Sequence, residues 1–186
     1  MDIKSIEKQI LDELGHTLSQ MNPNDSEKLY EKIQNADRIF LAAAGRSKFM
    51  LLGFGMRLMH LGYTVHIVGD ATTPAICNSD LLIIASGSGE TGSLVTIAAK
   101  AKSQSAGVVL VTTNAESTIG KMADECIVIP ASTPKNAEES RAKSIQPGAS
   151  LFEQSLLLYF DSFILACVKK SNLDIDHVMI RHANLE

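Results

Sequence analysis

The chain has 186 residues, 45% hydrophobic and 20% charged, which suits one domain large enough to bury most of its apolar surface. A formal net charge of −4 without a long Lys/Arg tract argues against nucleic acid as the main partner, and no apolar run approaches the roughly 20 residues of a bilayer span. The N-terminus has no signal-peptide apolar region. The widely spaced Cys77, Cys126 and Cys167 suit buried free thiols in a reducing cytoplasm rather than disulfides or a zinc site.

Ile3, Ile6, Ile10, Leu14 and Leu18 recur at helical spacing and predict an amphipathic helix over residues 2–20. Asn22-Pro-Asn-Asp-Ser26 breaks it and offers caps for a second helix ending near Asn35. An alternation then begins. RIFLAAA (38–44), TVHIVG (64–69), DLLIIAS (80–86), GVVLVTT (107–113) and ECIVIP (125–130) read as short strands. SKFMLLGFGMRLMHLG follows the first as a helix, another covers about 91–105, and STIGKMA is a short one. Apolar strands separated by helices predict an α/β fold, a doubly wound five-stranded parallel sheet flanked by helices.

Residues 131–147 lack periodicity and predict a functional or mobile loop. SLFEQSLLLYFDSFILACVKK then predicts a long helix, apolar around most of its circumference and so buried on several sides. Another subunit would be one way to bury it. The expected organisation is a single domain: an N-terminal helical extension (1–36), the sheet core (37–130), a loop (131–147), and a C-terminal helix with its tail (148–186).

Ligands of open parallel sheets bind beyond the carboxyl ends of the strands. Three polar turns leave such ends: Ala44-Gly-Arg-Ser47, Ser86-Gly-Ser-Gly-Glu-Thr91 and Thr112-Thr-Asn-Ala115. In the second, a helix N-terminus follows at once, so its N–H groups and the hydroxyls of Ser86, Ser88 and Thr91 make an anion site. The plainer alternative is that the hydroxyls cap the helix and the glycines relieve the turn. No GxxxxGK[ST] or GxGxxG is present, and no acidic residue ends the following strand, which weakens nucleotide readings. Glu90 would repel a dianion unless it points away, so it stays outside the phosphate set.

Arg46 sits where the helix dipole disfavours a cation, which suggests a task such as pairing with phosphate or polarising a carbonyl. Ser150-Leu-Phe-Glu153 fits the capping box S-x-x-E, although Glu153 could instead be a general base at the mouth of the sheet. His182 near the chain end reads alone as a tail residue. His177 and His182, five apart, do not share a helix face as a metal pair would, while His60 and His66 lie in apolar contexts that suit structural roles.

Taken together, Ala-Gly-Arg-Ser (44–47) and Ser-Gly-Ser-Gly-Glu-Thr (86–91) on a five-stranded α/β frame resemble the SIS (sugar isomerase) domain family. Pro147-Gly-Ala-Ser-Leu-Phe-Glu-Gln154 and Met179-Ile-Arg-His-Ala-Asn-Leu-Glu186 are similar to its 6-phospho-3-hexuloisomerase branch. The resemblance implies a flavodoxin-like strand order, a homotetramer, and conversion of arabino-3-hexulose 6-phosphate to fructose 6-phosphate and back, in formaldehyde assimilation. It also implies that Glu153 is the base and that His182 reaches an active site, in its own or a neighbouring subunit. On this reading Arg46 or His182 stabilises the enediolate, and Ser47, Ser86, Ser88 and Thr91 anchor the phosphate with Gly45, Gly87 and Gly89 beside them. A phosphorylated ketose is the expected partner, with no cofactor, no metal, no nucleic acid and no membrane. Another phosphosugar isomerase, such as an arabinose 5-phosphate isomerase, or a non-catalytic phosphosugar sensor stands as the alternative. A flavodoxin-like carrier is disfavoured by the absence of Trp.

Overall fold

A computed structural model describes residues 2–132, 144–174, 176, 178 and 180–185. The expected loop 131–147 falls largely on 133–143, and His177 on another position, outside the described residues. The elements run α1 (Ile3–Ser19), α2 (Asp25–Gln34), β1 (Ile39–Ala43), α3 (Gly45–His60), β2 (Val65–Ile67), β3 (Leu81–Ala85), α4 (Gly92–Ser103), β4 (Gly107–Thr112), α5 (Thr118–Met122), β5 (Glu125–Val128) and α6 (Ser150–Lys170). Each expected strand is present and shorter by one to three residues.

All strand pairs are parallel, in the order β2-β1-β3-β4-β5. The order reverses direction beside β1, so a crevice opens at the carboxyl ends of β1 and β3, the place where such sheets hold ligands. Alternation along each strand splits the core in two. Leu41, Ile83, Val109 and Ile127 face α3 and α6, whereas Phe40, Leu82, Val108 and Leu110 face α4 and α5.

α3 lies close to the sheet because of one glycine. A Cβ at Gly55 would stand 2.7 Å from Leu41 Cδ1. Against the other side of α3 packs α6, with Phe54 stacked on Phe160 at 3.9 Å between ring centroids. This contact registers the two helices whose N-termini frame the crevice.

α6 has 21 residues, as the sequence predicts, and by length and composition is apolar enough to cross a membrane although polar residues interrupt its apolar runs. In this fold it is a core helix, with Leu151, Phe152, Leu156, Phe160 and Phe163 buried. The cysteines are free, but only Cys167 is buried; Cys77 is exposed, beside Arg38, which corrects the expectation of buried thiols.

Candidate active site

A cavity of about 260 Å³ fills the crevice, lined by Ala44, Ser47, Ala85, Ser86, Gly87, Ser88, Thr91, Leu94, Ala149 and Phe152. Three helices begin at its wall. The N-cap residues of α3, α4 and α6 are Ala44, Thr91 and Ala149, and none makes a side-chain capping bond. By contrast α1 and α5 are capped by the side chains of Asp2 and Ser117. The first N–H groups of an α-helix have no partner within the helix, and the dipole leaves that end positive. Three such ends around one cavity make it a place for an anion.

The hydroxyl donors are oriented by the turn itself. Gly89 N donates to Ser86 Oγ at 3.2 Å, and Glu90 N donates to Ser88 Oγ at 3.2 Å. With their oxygens accepting from the backbone, both hydroxyls can aim their protons at a ligand. Thr91, which the capping alternative would have spent on α4, makes no capping bond there. The turn is braced from behind. Thr112 Oγ1, Thr113 Oγ1 and Thr113 N all donate to Gly87 O, at 3.1, 2.8 and 3.0 Å. The third polar turn of the sequence therefore supports the second rather than lining the cavity.

The glycines divide by role. Gly87 lines the cavity, and a Cβ there would meet Phe152 at 3.3 Å. Gly89 (φ +63°) faces away, and a Cβ there would stand 2.0 Å from Ser117 Oγ. Gly45 (φ +58°) opens α3 in the left-handed region that glycine adopts without strain. Of the three expected beside the substrate, only Gly87 is part of the cavity wall.

Arg46, Ser150 and Glu153 meet at the rim, next in sequence to the lining residues Ser47, Ala149 and Phe152 but not themselves part of the lining. There Arg46 Nη1 donates to Glu153 Oε2 at 2.8 Å and to Ser150 Oγ at 3.0 Å. The capping box is not formed: Ser150 is already helical, Ala149 holds the cap position, and Glu153 turns to Arg46 instead. This pairing also answers the cation at the wrong end of α3, since the carboxylate offsets the repulsion between Arg46 and the helix dipole. The Arg46 side chain is 47% exposed and that of Glu153 13%, so a carboxylate largely shielded from water is held by a cation half open to solvent.

His182 is elsewhere. It stacks on His60 at 5.4 Å, and Arg181 Nη1 lies 3.5 Å from His60 O, both at the C-terminal end of α3. From Gly45 to His60 the helix climbs roughly 22 Å, so the structure brings Arg46 and Glu153 together and leaves His182 apart from them. Burial, with Arg57 and His182 nearby, pushes the His60 imidazole below its ordinary value, as fits a structural ring. His66 packs beside Phe40 and is likewise remote from the cavity.

Ser150 and Phe152 were not singled out by the sequence. Their signal was present in SLFE, but the capping pattern explained it without a site. Among the described residues no three His, Cys, Asp or Glu side chains gather as a metal-ligand group.

Residues 32–158 match the SIS domain family. The chain is 47% identical to a 3-hexulose-6-phosphate isomerase of Bacillus subtilis (strain 168) over 96% of each chain. It is 37% identical to a 3-hexulose-6-phosphate isomerase of Mycobacterium gastri, covering 100% of this chain and 92% of that one. A hypothetical protein of Methanococcus jannaschii, for which a molecular function of 3-hexulose-6-phosphate isomerase is inferred, superposes with a TM-score of 0.83 at 31% identity, covering 95% of this chain and 98% of that one.

Proposed function

Because the chain belongs to the SIS domain family, we propose that its cavity takes a phosphosugar and that the enzyme interconverts D-arabino-3-hexulose 6-phosphate and D-fructose 6-phosphate. The reaction belongs to the formaldehyde-fixing ribulose monophosphate route and runs in the cytoplasm. The observation that carries the reading is the meeting of three helix N-termini without side-chain caps around a hydroxyl-lined cavity, with one carboxylate at its rim.

The phosphate sits among Ser47, Ser86, Ser88 and Thr91 at the α4 N-terminus, and this remote binding orients the reacting carbons toward Glu153. Glu153 removes the proton from C2. The C2–H electrons form the C2=C3 double bond, and the C3 carbonyl oxygen becomes the enediolate oxygen. Arg46 moves from Glu153 onto that oxygen, freeing the base and stabilising the charge together. A proton passes from the C2 hydroxyl to the C3 oxygen. Glu153 then returns its proton to C3, leaving the ketone at C2.

His182 serves the reaction in a second copy of the chain. It is exposed, and within its own chain roughly 22 Å of α3 separates it from the rim. The second copy this requires, within the homotetramer expected of the family, has apolar surface to meet: Phe49, Met56 and Met59 form an exposed row along α3, and Phe49 lies one turn from Arg46. Mixing Glu153→Gln and His182→Ala proteins after joint refolding is expected to restore turnover that neither has alone. Activity failing to return while mixed oligomers form would rule out a site shared between copies, and full turnover of His182→Ala alone would place His182 outside the reaction.

The substrate assignment is tested by incubating the protein with D-arabino-3-hexulose 6-phosphate in D₂O. Fructose 6-phosphate should accumulate, and the coupled assay should be matched by deuterium entering the sugar. Absence of both would overturn it.

A further inference from the structure

The expected phosphate turn contains a carboxylate, Glu90, in the wrong place for an anion site. The structure places it facing away from the cavity. Glu90 Oε1 accepts from Thr118 N at 2.7 Å, and Glu90 Oε2 accepts from Thr118 Oγ1 at 2.7 Å. The neighbouring Gly89 O accepts from Ile119 N at 3.2 Å, and Ser117 Oγ accepts from Gly120 N at 3.2 Å.

These contacts account for the first three N–H groups of α5, those of Thr118, Ile119 and Gly120. Two of the three go to the turn. α5 therefore differs from α3, α4 and α6, whose N-termini face the cavity without side-chain caps. The fourth helix beginning at this edge of the sheet spends its N-terminus on holding the turn. The fit admits little slack, since Gly89 has no room for a Cβ against Ser117 and Ser117 itself is buried.

Two consequences follow for the cavity side. Glu90 N donates to Ser88 Oγ, and Gly89 N donates both to Ser86 O at 3.1 Å and to Ser86 Oγ, which leaves both hydroxyls accepting from the turn. The clasp on the far side of the same two residues keeps those N–H groups pointing that way. It also pulls a full negative charge off the ligand side, where it would oppose a dianion directly.

We propose that Glu90 is a positioning residue for phosphate binding: clasped to Thr118, it locks the turn so that Ser86 and Ser88 present their protons to the ligand. The proposal rests on the reading of this turn as a phosphate cradle.

The test measures inorganic phosphate binding by calorimetry, together with KM and kcat, for the wild type and for Glu90→Ala, Glu90→Gln and Thr118→Val. Glu90→Ala should weaken phosphate binding and raise KM about tenfold, with kcat at saturation changed far less, since the bonds lost are charge-assisted and direct the turn. Glu90→Gln should recover most of the affinity. Its amide oxygen accepts from Thr118 N while its NH₂ donates to Thr118 Oγ1, so the clasp survives without the charge. Thr118→Val, which keeps the backbone donor and loses the hydroxyl, should fall between them and covers the case in which Glu90→Ala does not fold.

Glu90→Ala or Thr118→Val protein that is folded and binds phosphate as tightly as the wild type would overturn the proposal. So would equal tightening in Glu90→Ala and Glu90→Gln, which would make Glu90 a repelling charge and nothing more. A wild type that binds no phosphate would overturn the cradle itself, and the proposal with it, which separates the two failures.

Discussion

Asp80 and Asp124 at the amino ends of the parallel sheet are bonded in the opposite way to Glu153 at its carboxyl ends. At the amino ends of the strands, Asp80 precedes β3 and is saturated. It accepts from Arg38 Nε at 2.9 Å, Arg38 Nη2 at 2.7 Å and Cys77 N at 2.7 Å, with its side chain wholly buried. Asp124, before β5, accepts from Lys102 Nζ at 2.5 Å and Val108 N at 2.7 Å. At the carboxyl ends, Glu153 accepts one bond among the described residues, from a half-exposed Arg46. A buried carboxylate with all its bonds made is a fixture of the fold, since removing any partner costs the full desolvation of the rest. One with a single, half-exposed partner has lone pairs left for a substrate proton. On this comparison the amino edge holds the sheet together and the carboxyl edge is kept ready for chemistry.

Exchanging each acid for its amide separates the two roles. Glu153→Gln should lower kcat about 10³-fold, within the range expected for loss of a general base, and should abolish deuterium exchange at C2 and C3. Its thermal unfolding should stay near that of the wild type, because Arg46 can still bond the amide oxygen. Full turnover would remove Glu153 from the base role. Asp80→Asn should do the reverse, costing about 3 kcal/mol in urea unfolding while the folded fraction keeps its kcat. A loss of kcat in folded Asp80→Asn protein would break the contrast between the edges.

Acid should find the amino edge first. Burial on its own would raise the Asp80 carboxyl, but the bonds from Arg38 and Cys77 outweigh it and hold the group below its ordinary value. Asp124 is held low in the same way by Lys102 and Val108, and away from this edge Glu13, on α1, is held low by Ile145, Ser144 and Gln146 just ahead of α6. A carboxyl depressed by folding contributes stability that is complete above its unfolded value, about 4, and is lost as the pH falls toward the folded value. Urea midpoints should therefore fall between about pH 5 and pH 3, and Asp80→Asn should show a shallower fall. Asp25, raised by burial, works with the opposite sign and blunts the slope without reversing it.

Turning to the ligand side, Ser88→Ala should raise KM about tenfold with little change in kcat, as expected for one hydrogen bond to a charged phosphate. An unchanged KM would count against phosphate anchoring at that hydroxyl.

What the sequence made legible follows the same division. The sheet, its helices and the SGSGET turn were visible because periodicity and glycine spacing are local signals, and α6 matched its quoted segment from Ser150 to Lys170. The pairing of Arg46 with Glu153 was not visible, because 107 residues separate them and the contact depends on α3 packing against α6. The S-x-x-E pattern pointed to a cap, and tertiary geometry overrode it: once Ala149 takes the cap position, Ser150 is one residue too far into the helix to serve. The amino-edge bonds were equally hidden, since Arg38 and Asp80 stand 42 residues apart with no motif between them. His182 was legible only through resemblance, and its place beside His60 shows why local reading treated it as a tail residue.

The smallest effect is the one that most sharply tests whether the amino edge works by buried bonds or by charge. Lys102 and Asp124 make an ion pair whose side chains are 36% and 33% exposed, yet the same carboxylate also accepts from Val108 N inside the sheet. Water screens the first contact and not the second. Lys102→Ala should thus cost no more than about 0.5 kcal/mol, the usual worth of an exposed pair. Asp124→Ala, which also strands the Val108 N–H, should cost about 2 kcal/mol. Urea unfolding of the two variants and their double mutant measures the coupling directly. A Lys102→Ala cost well below that of Asp124→Ala, with the double mutant no worse than Asp124→Ala alone, assigns the stability to the backbone bond. If Lys102→Ala alone were as damaging as Asp124→Ala, charge rather than buried hydrogen bonding would be what holds this edge.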